Sequence, residues 1–120
     1  MLIRLHNQLA VNPQNVAAMF LYGEMVITFR MITGRSHNLQ CGDKKECSLK
    51  FGKILSSMKS HDDFYRVDAG RAINVNHIIS LATTGAGVVI NMTGDFSVYL
   101  PTTEKAEMIE RLSKELEAFG

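Results

Sequence analysis

The sequence predicts a mostly β fold with α, built from short antiparallel hairpins, a middle helix and a C-terminal amphipathic helix. Three observations carry that expectation. Runs rich in β-branched and aromatic residues lie between glycines at hairpin spacing. Phe51, Ile54, Leu55 and Met58 follow the i, i+3, i+4, i+7 pattern of one helix face. After Pro101, the residues Met108, Ile109, Leu112, Leu116 and Phe119 form another such face. The chain has 120 residues, which is the size of one domain, and its 46% apolar and 21% charged content is that of a globular protein. Disorder, collagen and coiled-coil arrays are excluded.

Taken in order, residues 2–11 alternate weakly, with Leu5, Leu9 and Val11 apolar among polar neighbours, and read as strand. Met25-Val26-Ile27-Thr28-Phe29 lies between Gly23 and Gly34 and reads as the next. Ser48 is a suitable N-cap for the helix that carries Phe51 to Met58. Val88-Val89-Ile90 sits between Gly87 and Gly94, and Phe96, Val98 and Leu100 alternate with Ser97 and Tyr99. Pro101 then stops the strand, and Thr102 or Thr103 can cap the last helix. Glu104 and Glu107 complement its positive end, while Lys105, Glu110, Arg111, Lys114 and Glu117 form its wet side.

The chain also reads as repeating itself. Ala10-Val11-Asn12-Pro13-Gln14-Asn15-Val16 and Ala72-Ile73-Asn74-Val75-Asn76-His77-Ile78 share the pattern Ala, β-branched, Asn, three residues, β-branched. A glycine (Gly23, Gly85), a strand, a glycine turn (Gly34, Gly94), a strand and a helix follow each. An Asn at such a corner can bond a neighbouring backbone group. Strand–turn segments also produce such patterns by chance, so both readings stand.

Chemistry is sparsely signalled. His37, Cys41 and Cys47 have the wrong spacing for a structural zinc site and no fourth ligand. Ser36-His37 and His61-Asp62-Asp63 hold catalytic residue types, but neighbours on a strand point apart and cannot form a relay. No nucleophile elbow or phosphate loop is present. The expectation is no enzyme, no cofactor and no metal. Two cysteines without a secretory leader imply reduced thiols in a cytoplasmic protein, and no stretch is apolar enough for a membrane span. Thirteen Lys+Arg against twelve Asp+Glu leave a formal charge of +1. Nucleic-acid binding must therefore rest on local placement. Lys44 and Lys45 lie in a polar turn, Lys50, Lys53 and Lys59 on the middle helix, Arg35 and His37 near the first glycine turn, and Arg66 and Arg71 around Gly70.

The segment Phe64-Tyr65-Arg66-Val67-Asp68-Ala69-Gly70-Arg71-Ala72-Ile73-Asn74-Val75-Asn76-His77-Ile78 resembles the signature of the LytTR DNA-binding domain. Phe64, Arg66, Val67, Asn74, His77 and Ile78 match it without gaps, and Ile73 and Val75 are conservative. The order of elements fits from about residue 2 to residue 116, with the middle helix at 49–58 and the closing helix at 104–119. The resemblance implies a single LytTR-like domain over 1–120 and a standalone, cytoplasmic, bacterial-type transcription regulator. Such a regulator contacts double-stranded promoter DNA through loops. It points to Arg66, Arg71, Thr102, Thr103 and Lys105 as the DNA-binding residues.

The sequence departs from the family where DNA is read. Asp68, Ala69 and Gly70 replace His-Arg-Ser, Pro101, Thr102 and Thr103 replace a basic turn, and Gly23 and Glu24 replace a basic loop. Each lost cation removes a counterion-release contribution to affinity. An alternative therefore stands beside the first reading: the fold is kept, DNA binding is lost, and the chain acts on another regulatory protein. His77 and Asn74 read as structural, and the seven methionines as core fillers.

Overall fold

The computed structural model describes residues 2–23 and 25–118. Glu24 and Phe119, which the sequence places in the first hairpin loop and on the last apolar face, lie outside the described residues. The chain opens with β1 (Ile3–His6) and β2 (Leu9–Val11) as a hairpin. Its turn falls at Asn7 and Gln8, where His6 Nδ1 accepts the Gln8 N–H at 3.0 Å. A 3₁₀ turn, Pro13–Asn15, leads into the meander β3 (Val16–Tyr22), β4 (Val26–Met31) and β5 (Ser36–Gln40), followed by α1 (Lys44–Lys59). The second half runs β6 (Phe64–Asp68), β7 (Arg71–Asn74), a 3₁₀ turn (Val75–His77), β8 (Ile78–Thr83), β9 (Gly87–Met92), β10 (Phe96–Pro101) and α2 (Lys105–Glu117).

The sequence repeat is therefore a structural one. Each half is a hairpin, an Asn corner, a 3₁₀ turn, a three-stranded meander and a helix. Asn12 accepts the Gln14 N–H at 3.1 Å, and Asn74 accepts the Asn76 N–H at 3.0 Å, so both asparagines cap their turns by the same bond.

The strands form an all-antiparallel set: β1-β2, β10-β9-β8, and a five-stranded sheet ordered β5-β4-β3-β7-β6. The two halves are joined where β3 pairs with β7. Alternation along β3 then sets two cores. Met19 faces α1, where Phe51, Leu55 and Met58 are buried with Ile27, Phe29 and Phe64. Ala18 and Phe20 face the three-stranded sheet, meeting Val88, Ile90, Val98 and Leu100, with Leu112 of α2 closing that layer. Burying each large side chain contributes roughly 1.5–3 kcal/mol.

Two turns need glycine. Gly34 and Gly94 adopt φ of 90° and 103°, a region that side chains with a Cβ disfavour. A Cβ on Gly94 would also lie 2.8 Å from the Met31 carbonyl oxygen, because this turn packs on the β4–β5 turn.

Both helix starts differ from expectation. α1 begins five residues before Leu49, and Asp43 rather than Ser48 caps it, accepting the Glu46 N–H at 2.7 Å. α2 has Glu104 at its N-cap position with no side-chain cap bond. Thr102 Oγ1 instead accepts the Glu104 N–H at 3.0 Å, one step outside the helix. The thiols also depart from the expected reduced state. Cys41 and Cys47 are joined in a disulfide, because the turn into α1 brings their Cα atoms to 5.1 Å. That pairing removes the free-thiol argument for a reducing compartment. Among the described residues, no helix is long and apolar enough to cross a membrane.

Candidate nucleic-acid interface

The five candidate residues fall in two patches. Arg66 and Arg71 flank the β6–β7 turn, Asp68-Ala69-Gly70. Thr102, Thr103 and Lys105 lie where β10 passes into α2. Strand β10 joins the patches, since Arg71 Nη1 donates to the Tyr99 carbonyl at 2.6 Å, three residues before Thr102.

At the first patch, side chains fold back on the backbone and fix the turn. Arg66 donates from Nε to the Asp68 carbonyl (3.1 Å) and from Nη2 to the Ala69 carbonyl (2.8 Å). Its guanidinium lies 5.3 Å from the centre of the buried Phe51 ring, anchoring the turn to α1. Arg66 is thus largely committed to scaffolding. Arg71 donates from Nε to Asp68 Oδ2 at 2.7 Å and pairs with the same oxygen through Nη2. Asp68 Oδ1 accepts the Gly70 N–H at 3.0 Å. Partial burial works against ionisation of Asp68. The hydrogen bonds from Arg71 and the Gly70 amide, with the Arg71 charge, outweigh it and hold the carboxyl below the usual 3.8.

The same turn borders the start of α1. Leu21, Lys44, Lys45, Ser48, Ala69 and Gly70 line one shared cleft. Four cations, Lys44, Lys45, Arg66 and Arg71, are therefore gathered around three turn residues, with Asp68 the acid of the turn itself. Sequence reading recorded Lys44 and Lys45 but could not bring them here, because they are more than 20 positions from the turn. The Cys41–Cys47 disulfide spans both lysines and braces this helix start.

The second patch is mixed in charge. Lys105 Nζ donates to the Gly85 carbonyl at 2.9 Å, and the Thr102 N–H donates to the Ala86 carbonyl at 3.1 Å, so the β8–β9 turn is tied to the start of α2. Thr103 is exposed. Thr102, Glu104, Glu107, Met108 and Arg111 line a small cleft beside it.

Asn74 and His77 are structural. Asn74 is buried and donates to the Pro13 and Val16 carbonyls and to Asp62, and His77 Nε2 bonds the Gln14 carbonyl. Asp62 and Asp63 both accept from Asn76. These acids hold the second 3₁₀ turn.

No protein-family model matches the chain, and no curated protein matches it. Among solved structures, it is similar to the LytTr DNA-binding domain of a protein named as a methyl-accepting/DNA response regulator of Bacillus cereus. The TM-score is 0.59 at 15% identity, covering 93% of this chain and 95% of the other. The chain has the LytTr fold. In the LytTr frame, the signature segment occupies β6, β7 and the second 3₁₀ turn. Its matched residues are mainly those that hold the fold: Phe64 and Asn74 are buried, and Arg66 and His77 bond to backbone. Three of the unmatched ones, Asp68, Ala69 and Gly70, form the β6–β7 turn.

Proposed function

We propose that this protein binds double-stranded DNA and regulates transcription from it, with the β6–β7 turn as its leading contact. One observation carries the reading: a rigidly held turn on the LytTr fold, with Lys44 and Lys45 on one side and Arg71 on the other. Phosphate binding needs several cations on one face, and this face supplies them despite a formal net charge of only +1. In this reading Lys44, Lys45 and Arg71 meet phosphates. Arg66 holds the turn in shape. Thr102, Thr103 and Lys105 supply hydroxyl and ammonium contacts at the neighbouring patch, where the amides opening α2 also favour an anion.

Asp68 favours the second reading, an interaction with another regulatory protein. It engages two of Arg71's three guanidinium nitrogens, Nε and Nη2, and sets a carboxylate on the presented surface. The two readings differ in salt dependence. Duplexes selected from a random pool at low salt should enrich a shared motif. Fluorescence anisotropy should then give a log–log salt slope of about −3 to −4, the value for some four phosphate contacts. Replacing Lys44 and Lys45 with Ala should weaken binding and flatten the slope by about 1–2, with the circular dichroism spectrum unchanged. No enrichment at low salt, or a slope unmoved by the double variant, rejects this assignment and turns the search to protein partners.

A further inference from the structure

A second cleft, of about 340 Å³, opens on the other side of Gly70, between the end of β3 and the free edge of β10. Three aromatic rings shape it. Phe20 and Tyr22 stack at 5.7 Å with their planes 29° apart, and Phe96 meets Phe20 edge-on at 6.1 Å. Arg30 enters from β4 and lays its guanidinium 4.7 Å from the centre of the Phe96 ring.

Arg30 is the anomaly of the molecule. It is half-buried, and its Nε is the sole buried side-chain polar atom without a hydrogen-bond partner among the described residues. No carboxylate among those residues pairs with it. The Phe96 face compensates part of the lost hydration, since the ring quadrupole attracts a cation lying over it. A buried donor left without a partner is destabilising, and more so on a charged group. Arg71, the other cation on the rim, is already engaged with Asp68 and the Tyr99 carbonyl.

We propose that this cleft binds a small flat organic acid, an aromatic or heteroaromatic carboxylate of one or two fused rings. The carboxylate pairs with the terminal Nη groups of Arg30, which have no partner among the described residues and border the cleft, and so neutralises a guanidinium whose Nε is sealed beneath them. The flat body stacks on the Phe20–Tyr22 wall, where offset rings gain more than aliphatic groups of equal area. The volume lies at the small end of ligand clefts and sets the size. Inorganic phosphate would match the charge but leave the aromatic walls unused, and a neutral ring would leave Arg30 unpaired. The site stands whether or not the protein binds DNA.

The test is an amide-resolved NMR titration of the full chain with 2-naphthoate and, separately, with 2-naphthamide, its uncharged analogue. Saturable shifts are expected at Phe20, Tyr22, Arg30, Ser97 and Tyr99, with the amide binding at least tenfold more weakly. Arg30→Met should weaken naphthoate at least tenfold and leave naphthamide within twofold. Equal affinity of acid and amide for the unaltered protein overturns the proposal without needing a variant. So does the absence of saturable shifts below about 10 mM, which is weaker than useful small-ligand recognition. Tighter binding of acetyl-Ala-Phe than of naphthoate would overturn it too, reassigning the cleft to a protein C-terminus.

Discussion

Asn74 ties four places together with one side chain. Its amide nitrogen reaches the Pro13 carbonyl (3.4 Å), the Val16 carbonyl (3.1 Å) and Asp62 Oδ2 (2.8 Å), while its oxygen caps the second 3₁₀ turn. Among the described residues, the side chain of its repeat partner Asn12 caps its own turn and nothing more. Losing one net hydrogen bond costs about 1 kcal/mol, and buried groups left unsatisfied cost about 1–3 kcal/mol. Asn74→Ala should therefore lower unfolding free energy by roughly 2–4 kcal/mol, and Asn12→Ala by about 1 kcal/mol, both read from urea midpoints. Equal losses would mean that the contacts between the two halves add nothing to the cap. Asp68 acts on the same scale. Its folded carboxyl lies below 3.8, so the stability it contributes is present above that value and disappears as pH falls through the folded one. Between pH 4 and pH 2, Asp68→Asn should flatten the acid limb of the stability curve. An unchanged limb would place the responsible carboxylates elsewhere. The sequence exposed the two asparagines because their spacing repeats. It hid the role of Arg66, whose partners are backbone carbonyls two and three residues ahead that meet it only once the turn exists.

Helix α1 shows why boundaries are harder to read than elements. Its apolar stripe begins at Cys47, so periodicity cannot see the polar first turn of Lys44, Lys45 and Glu46. The informative residue was Asp43, three before Glu46, a spacing that satisfies free amides at a helix start. That missed turn carries the two lysines placed against the β6–β7 turn. A disulfide closing a loop of about seven residues stabilises by roughly 2 kcal/mol in the chain-entropy account. Reduction should lower the urea midpoint correspondingly, and slowed-exchange protection at the amides of 46–48 should fall first. If reduction leaves those amides protected, Asp43 alone suffices to hold the helix start. At the other end of the chain, α2 is fastened by Leu112 in the core and by the Tyr65 hydroxyl on Glu115. Burial, with the bond to Glu115 and its charge, pushes the Tyr65 hydroxyl up to about 12. The amphipathic pattern of α2 was legible. Its docking partner on β6 was not, since the pattern gives a face and not what covers it.

At the scale of the molecule, the repeat explains both the element order and the coupling of the two cores. Two copies of one unit could have folded as separate bodies, each helix behind its own meander. They do not, because β3 pairs with β7 across the repeat boundary and the second hairpin completes the first sheet. The sequence revealed two similar halves and the family order of elements, but a strand's alternation does not name its neighbour across the sheet. One consequence is testable. Met19 and Phe20, adjacent on β3, belong to different cores, so neither core can be lost while the other keeps its wall. Unfolding should be one cooperative step. In native-state hydrogen exchange, interior amides of β4, in the five-stranded sheet, and of β9, in the three-stranded sheet, should open with the same free energy and the same denaturant dependence. If β9 opens at a lower free energy than β4, the three-stranded sheet with α2 is a separable unit. The Arg30 cleft and the Arg71–Tyr99 bond, which lie between the sheets, would then open with it. Equal values mean that occupancy of that cleft and the shape of the β6–β7 turn report on a single folded state.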